Sequence, residues 1–187
     1  MIPWPAGTRK IGGITGVASP GHHTGGSLAE ALERRRAEGR PVRVGLIGAG
    51  QMGTDIIVQT ALMSGIEVVA AADGVTDNVF AARTIAGARA RTPVLADGAE
   101  ATARAIARGE LAVTRSFRDI CATDGVDVVI DATGNPNVGA EVALATIDAG
   151  KHIVMMNVEA DVTIGAYLAA KAADAGVVYT LGAGRFY

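Results

Sequence analysis

Three glycines, Gly48, Gly50 and Gly53, follow the apolar run Val42–Ile47 at G-x-G-x-x-G spacing. A segment of helical periodicity (Thr54, Ile56, Ile57, Thr60, Leu62, Met63) begins at once after them. On a strand-to-helix turn each glycine has a physical task. Gly48 makes the tight turn, Gly50 lets the backbone approach a pyrophosphate, and Gly53 lets the new helix pack closely on its strand. The free N–H groups and the positive dipole end of that helix then face the phosphates, so Ala49, Gln51 and Met52 join the candidate loop. A triplet of glycines is weak evidence in a chain with 25 of them. Its context sharpens it: a strand before, a helix after, and a second apolar run, Ile66–Ala72, ending at Asp73. A carboxylate at that distance from the glycines is where a ribose-binding group is expected. The pattern predicts a dinucleotide.

Asp73 also bears on which dinucleotide. A carboxylate there hydrogen-bonds a ribose 2′-OH and repels a 2′-phosphate. Gly74 and Val75 follow it without a cation, and Arg83, the nearest basic residue, lies well into the next helical segment. NAD is therefore favoured over NADP.

The elements that must position these residues alternate strand and helix. Strands are expected at 42–47, 66–72, 111–114, 126–131, 152–156 and 177–181. Helices are expected at about 51–64, 77–87, 97–108, 116–121, 137–149 and 162–175. Ser27 caps a further helix through Leu28, Leu32 and Arg36, ahead of the first strand. About six parallel strands in two βαβαβ halves with right-handed crossovers make a doubly wound α/β sheet of the Rossmann type. The roughly 38 residues between the second and third strands exceed a minimal crossover, so an extra helix is expected there.

In such a sheet the ligand lies where the strand order reverses, at the carboxyl ends of the strands. The glycine turn would face Asp131–Pro136, and the small residues Ala132, Thr133 and Gly134 would admit the nicotinamide ribose. Asp131 either holds its turn through backbone N–H groups or touches the ligand. Asn157 and Glu159, at the end of the next strand, are open between ligand contact and turn-making. Asp161 is expected to cap the helix at 162–175. His152 sits at the opposite end of its strand and is rejected as a general base despite its suitable titration range.

Composition narrows the class. Hydrophobic residues reach 49% while aromatics are only 4%, so the apolar content is mainly Ala and Val, suited to close helix-on-sheet layers. No apolar run approaches the ~20 residues of a membrane span. Cys121 is the single cysteine, which rules out an internal disulfide and fits a reducing cytoplasm. A net charge of −2 without a basic cluster argues against nucleic acid. Arg34–Arg36 reads as a solvated helix face. Residues 1–26, rich in Gly, Pro, Ser and Thr, read as a loosely packed leader ahead of a dinucleotide-binding domain at 27–187. His22 and His23 lie in that leader without metal-ligating neighbours, and no metal is expected. Oligomeric state is not encoded legibly; a homo-oligomer is one option.

With these residues in place, the chain resembles the homoserine dehydrogenase-like oxidoreductases that carry a C-terminal SAF domain, a group that includes deoxyxylulose-phosphate reductoisomerase-like enzymes. The matching stretches are VRVGLIGAGQMGT (42–54), DVVIDATGNP (127–136), GKHIVMMNVEADVTIG (150–165) and YTLGAG (179–184). The resemblance implies an NAD(P)-linked oxidoreductase whose Rossmann domain precedes a separate catalytic domain. Members continue past the glycines at 182–184 into a long catalytic region, whereas this chain reads Arg185-Phe186-Tyr187 and stops. The expectation is a cofactor half without its substrate half: an isolated domain, a truncated product, or a non-catalytic sensor subunit. Val158 stands where homoserine dehydrogenases proper carry a lysine after the asparagine, so that activity does not follow from the third block.

Overall fold

The computed structural model describes residues 27–182. The leader expected over 1–26, with His22 and His23, lies outside them. Seven strands form one parallel sheet: β1 Val42–Ile47, β2 Ile66–Ala72, β3 Pro93–Leu95, β4 Leu111–Thr114, β5 Val128–Asp131, β6 His152–Met155 and β7 Tyr179–Leu181, in the order β3-β4-β2-β1-β5-β6-β7. The helices are α1 Leu28–Ala37, α2 Gln51–Thr60, α3 Asp77–Ala86, α4 Ala99–Ala107, α5 Phe117–Cys121, α6 Pro136–Asp148 and α7 Val158–Asp174.

The doubly wound α/β reading holds, with one strand more than expected. The long connection after β2 contains two helices, α3 and α4, and between them β3. This strand has three residues and begins at Pro93. Its brevity hides it in the sequence, and proline, which cannot donate to a ladder, confines it to the sheet edge.

Parallel strands buried on both faces need apolar residues on both. Val44 and Leu46 of β1, Val68 and Ala71 of β2, and Leu111 and Val113 of β4 pack with Ile57 of α2 and Val79 and Ala82 of α3. On the other face Val69, Ala70, Val129, Ile153 and Met155 meet Ala105, Ile120, Val142, Ile147, Ala160 and Leu168 from α4 to α7. The alanines of β2 let these layers approach closely. At the amino end, Arg43 N–H and guanidinium both donate to Asp127, joining β1 to the segment entering β5. Burial opposes the Asp127 carboxylate, but the Arg43 bonds together hold its pKa below the usual range.

The last helix corrects the sequence reading. It starts at Val158, not Val162, and its cap is Asn157, whose Oδ1 accepts from Ala160 N–H at 3.1 Å. Asp161 instead accepts from the Tyr179 hydroxyl at 2.6 Å, tying α7 to β7. An Asx side chain four residues upstream competed for the same role, and local spacing alone did not separate the two.

Candidate functional site

Strand order reverses between β1 and β5, whose residues pair from Val44↔Val128 to Ile47↔Asp131. Just beyond their carboxyl ends lies a cleft of about 310 Å³. Gly48, Gly50, Asp73, Ala132, Thr133 and Gly134 line it together, residues that the sequence scatters over three segments.

Each glycine of the turn is held by a different constraint. Gly48 has φ +90, and a Cβ there would meet the Ala132 carbonyl oxygen at 2.8 Å, so the turn rests directly on the end of β5. A Cβ on Gly53 would run into the Gly48 carbonyl oxygen, which is how closely α2 sits on the turn. Gly50 differs: its φ is −66, and a Cβ would meet no heavy atom within 4 Å. The fold does not need glycine there; only an approaching ligand would. Gly50 is the N-cap of α2 and offers no side chain to its first turn, so those N–H groups are left for another acceptor. Gln51 and Met52 stand exposed on that first turn, while Ala49 is buried behind it.

Asp73 follows β2 and faces the glycine turn. Its Oδ2 accepts from Ala49 N–H at 2.6 Å, and its Oδ1 accepts from Val75 N–H at 2.8 Å and Asn78 Nδ2 at 3.2 Å. The carboxylate therefore caps its own turn and anchors the loop it was expected to serve.

Across the cleft, Asp131 is fully buried and its Oδ1 accepts from Thr133 N–H at 3.0 Å, the turn-holding alternative. Its Oδ2 has no hydrogen-bond partner and is turned toward Gly139 of α6, where a Cβ would come within 2.6 Å. Burial pushes the Asp131 pKa up, against the bond from Thr133 N–H. The Asn157 carboxamide is likewise spent on the scaffold. Its Nδ2 donates to the Asn135 carbonyl at 2.9 Å and lies 3.4 Å from Thr133 Oγ1. Between ligand contact and turn-making, its bonding is turn-making: it holds the 131–135 turn against the start of α7. Asn135 in turn caps α6, with Pro136 at the first helical position.

Other candidates fall away from the cleft. His152 Nδ1 accepts from Val178 N–H at 3.0 Å at the amino end of β6, away from the cleft. Cys121 is buried beside Thr146, and burial raises its thiol pKa, so it is no ready nucleophile. Arg83 donates to the Arg91 carbonyl at 2.9 Å and is engaged there. Arg34–Arg36 are exposed on α1. Among the described residues no group of His, Cys, Asp and Glu could hold a metal, and no helix is long and apolar enough to cross a membrane.

Among the cleft residues that escaped the sequence reading are Arg115 and Phe117. They follow β4, a strand expected correctly but without its neighbour. That β4 lies beside β2 is a matter of sheet order, and only the pairing Ala72↔Thr114 brings Arg115 to Asp73. The signal available was a lone arginine directly after a buried strand.

The residues fit a dinucleotide: an uncapped helix start, open space over Gly50, a carboxylate at the end of β2 and small residues at the end of β5. Comparison with known proteins agrees. The chain is similar over 76% of its length to a homoserine dehydrogenase from Thiobacillus denitrificans, at 24% identity, with a TM-score of 0.51, covering 29% of that chain. A scyllo-inositol dehydrogenase from Lactobacillus casei with bound NAD(H) and scyllo-inositol is similar over 76% of this chain and 36% of its own, at 17% identity and a TM-score of 0.54. These likenesses show the fold, and the chain spans about a third of the length of such structures. No curated protein matches the chain. The profile of the family described as homoserine dehydrogenase, NAD binding domain, matches residues 24–181. The chain belongs to that family and is a nicotinamide dinucleotide-binding domain of the oxidoreductase type.

Proposed function

We propose that the chain is the cofactor half of a cytoplasmic oxidoreductase and that it binds NAD in preference to NADP. The observation that carries this reading is the Gly48–Gly53 turn facing Asp73 across one cleft, with open space at Gly50. Gly48 and Gly50 keep the backbone low enough for a pyrophosphate, and Gln51, Met52 and Gly53 supply the helix start that faces it. Asp73 would accept from the adenosine ribose with the lone pairs its turn leaves over. Ala132, Thr133 and Gly134 would take the nicotinamide ribose, positioned by Asp131 and Asn157 from behind. When bound, the cofactor supplies hydride transfer; the protein supplies binding and orientation. The substrate, of the homoserine or reductoisomerase kind by resemblance, would need the second wall of the cleft from another domain.

A second reading is a non-catalytic dinucleotide module or sensor subunit. It draws support from the cleft itself, where Asp73 and Arg115 are the only ionisable lining residues among the described residues. Titration of the 187-residue chain with NAD and NADP, followed by turnover assays with homoserine and sugar phosphates, tests both. Binding without turnover is the expected result. Steady NAD(P)H formation by this chain alone would place a complete active site in it, and failure to bind either dinucleotide would overturn the whole reading.

A further inference from the structure

Asp73 and Arg115 directly follow the carboxyl ends of two neighbouring strands. Ala72 of β2 pairs with Thr114 of β4, and Asp73 N–H donates to the Thr114 carbonyl at 3.2 Å. One residue further along each strand, both side chains stand at the same end of the sheet, and both line the cleft. They do not pair. Both Asp73 oxygens are taken by Ala49, Val75 and Asn78, so the carboxylate is held to its own turn. Arg115 is exposed and makes no ion pair among the described residues. Other arginines are engaged elsewhere: Arg83, the first cation after Asp73 in the chain, by the Arg91 carbonyl, and Arg118 by Glu141 at 3.4 Å and by the face of Phe117 at 5.0 Å.

We propose that Arg115 is a specificity-determining residue that admits a 2′-phosphate at the adenosine end of the cleft, so that the Asp73–Arg115 pair, rather than Asp73 alone, sets the choice between NAD and NADP. The inference rests on the dinucleotide reading and refines its cofactor preference. A ribose held at Asp73 carries its 2′ position into the reach of a side chain on the adjacent strand. There the repulsion from one carboxylate meets an opposite charge of equal size. A guanidinium adds geometry, because its fork matches two phosphate oxygens at once. The carboxylate favours NAD; the arginine keeps NADP from being excluded.

The test uses four ligands, NAD, NADP, 5′-AMP and 2′,5′-ADP, titrated against the full chain and its R115Q and R115K variants. R115Q should weaken NADP and 2′,5′-ADP by about tenfold or more, the loss of a charge-assisted bidentate contact, and NAD and AMP by less than about threefold. R115K should restore part of the loss, since a point charge replaces the fork. Equal losses for all four ligands would place Arg115 on the adenine or in the general field and overturn the proposal. So would unchanged affinities, or a wild-type chain that binds AMP but not 2′,5′-ADP. NAD binding that survives in R115Q shows the cleft intact, so failure of this inference is distinct from failure of the dinucleotide reading, in which wild type binds none of the four.

Discussion

The Asp73 carboxylate accepts the Ala49 amide at 2.6 Å, which ties the end of β2 to the glycine turn after β1. The residue that would select the ribose thus also fixes the loop that would hold the pyrophosphate. Asp73→Ser should weaken NAD by about tenfold or more, the loss of a charge-assisted hydrogen bond of roughly 1.5–3 kcal/mol. NADP should lose less, because repulsion toward the 2′-phosphate goes with the carboxylate. Adding Gly74→Arg should shift the ratio further toward NADP, since Gly74 has open space around its Cβ position. Paired dissociation constants for both variants check this; an unchanged NAD/NADP ratio would reduce Asp73 to a cap of its own turn.

Gly50→Val should leave the fold standing and abolish dinucleotide binding. The backbone there is extended, with φ −66 and ψ −157, and a Cβ meets nothing within 4 Å. Its branches would fill space the pyrophosphate needs. Thermal unfolding within a few degrees of wild type, with no measurable binding, is the expected pair of results. Wild-type affinity in the folded variant would remove the glycine turn from the site.

Gly53→Val should do the opposite and fail first in stability. The added side chain would press on the Gly48 carbonyl, with the Leu46 side chain 3.5 Å behind it. Overpacking of this kind costs about 1–3 kcal/mol. Urea denaturation should show that loss even without ligand, and a variant as stable as wild type would mean that α2 can slide off its strand.

Asp131 should leave a signature in the pH dependence of stability. Burial raises its folded pKa above the ordinary 3.8, so the unfolded chain releases this proton first. Stability from this group is full below 3.8 and falls as pH rises through the raised folded value. Asp131→Asn keeps an oxygen for the Thr133 N–H and removes the ionisation, so its stability should not share that fall. Asp127 contributes the opposite slope, its stabilisation being lost as pH falls, and cancels when variant and wild type are compared. Parallel curves of unfolding free energy against pH would show that Asp131 does not titrate in this window.

The sequence by itself determined the cofactor end of this protein. Val42–Ile47 and the three glycines are a local pattern in the sequence, although only Gly53 is constrained by a near neighbour, Gly48, while Gly48 itself rests on Ala132 at the end of β5. The run Ile66–Ala72 ending in Asp73, and the buried strand before Asp131, are equally local, so the doubly wound sheet and its switch point were legible. Tertiary structure decided what depends on neighbours distant in the chain. Sheet order put β4 beside β2 and brought Arg115 to Asp73, a cation that no spacing rule places there. It set Ala49 on the Asp73 carboxylate, giving that residue a second task. It gave the three residues Pro93–Leu95 a strand's partner on the sheet edge, where propensity alone is too weak to declare one. It also chose Asn157 over Asp161 as the cap of α7. Both have the right chemistry, but only Asn157 lies where its amide can also close the turn after β5. Periodicity and turn chemistry act over a few residues and can be read directly. Pairing and hydrogen-bond partnership across the sheet are fixed only when the whole layer packs.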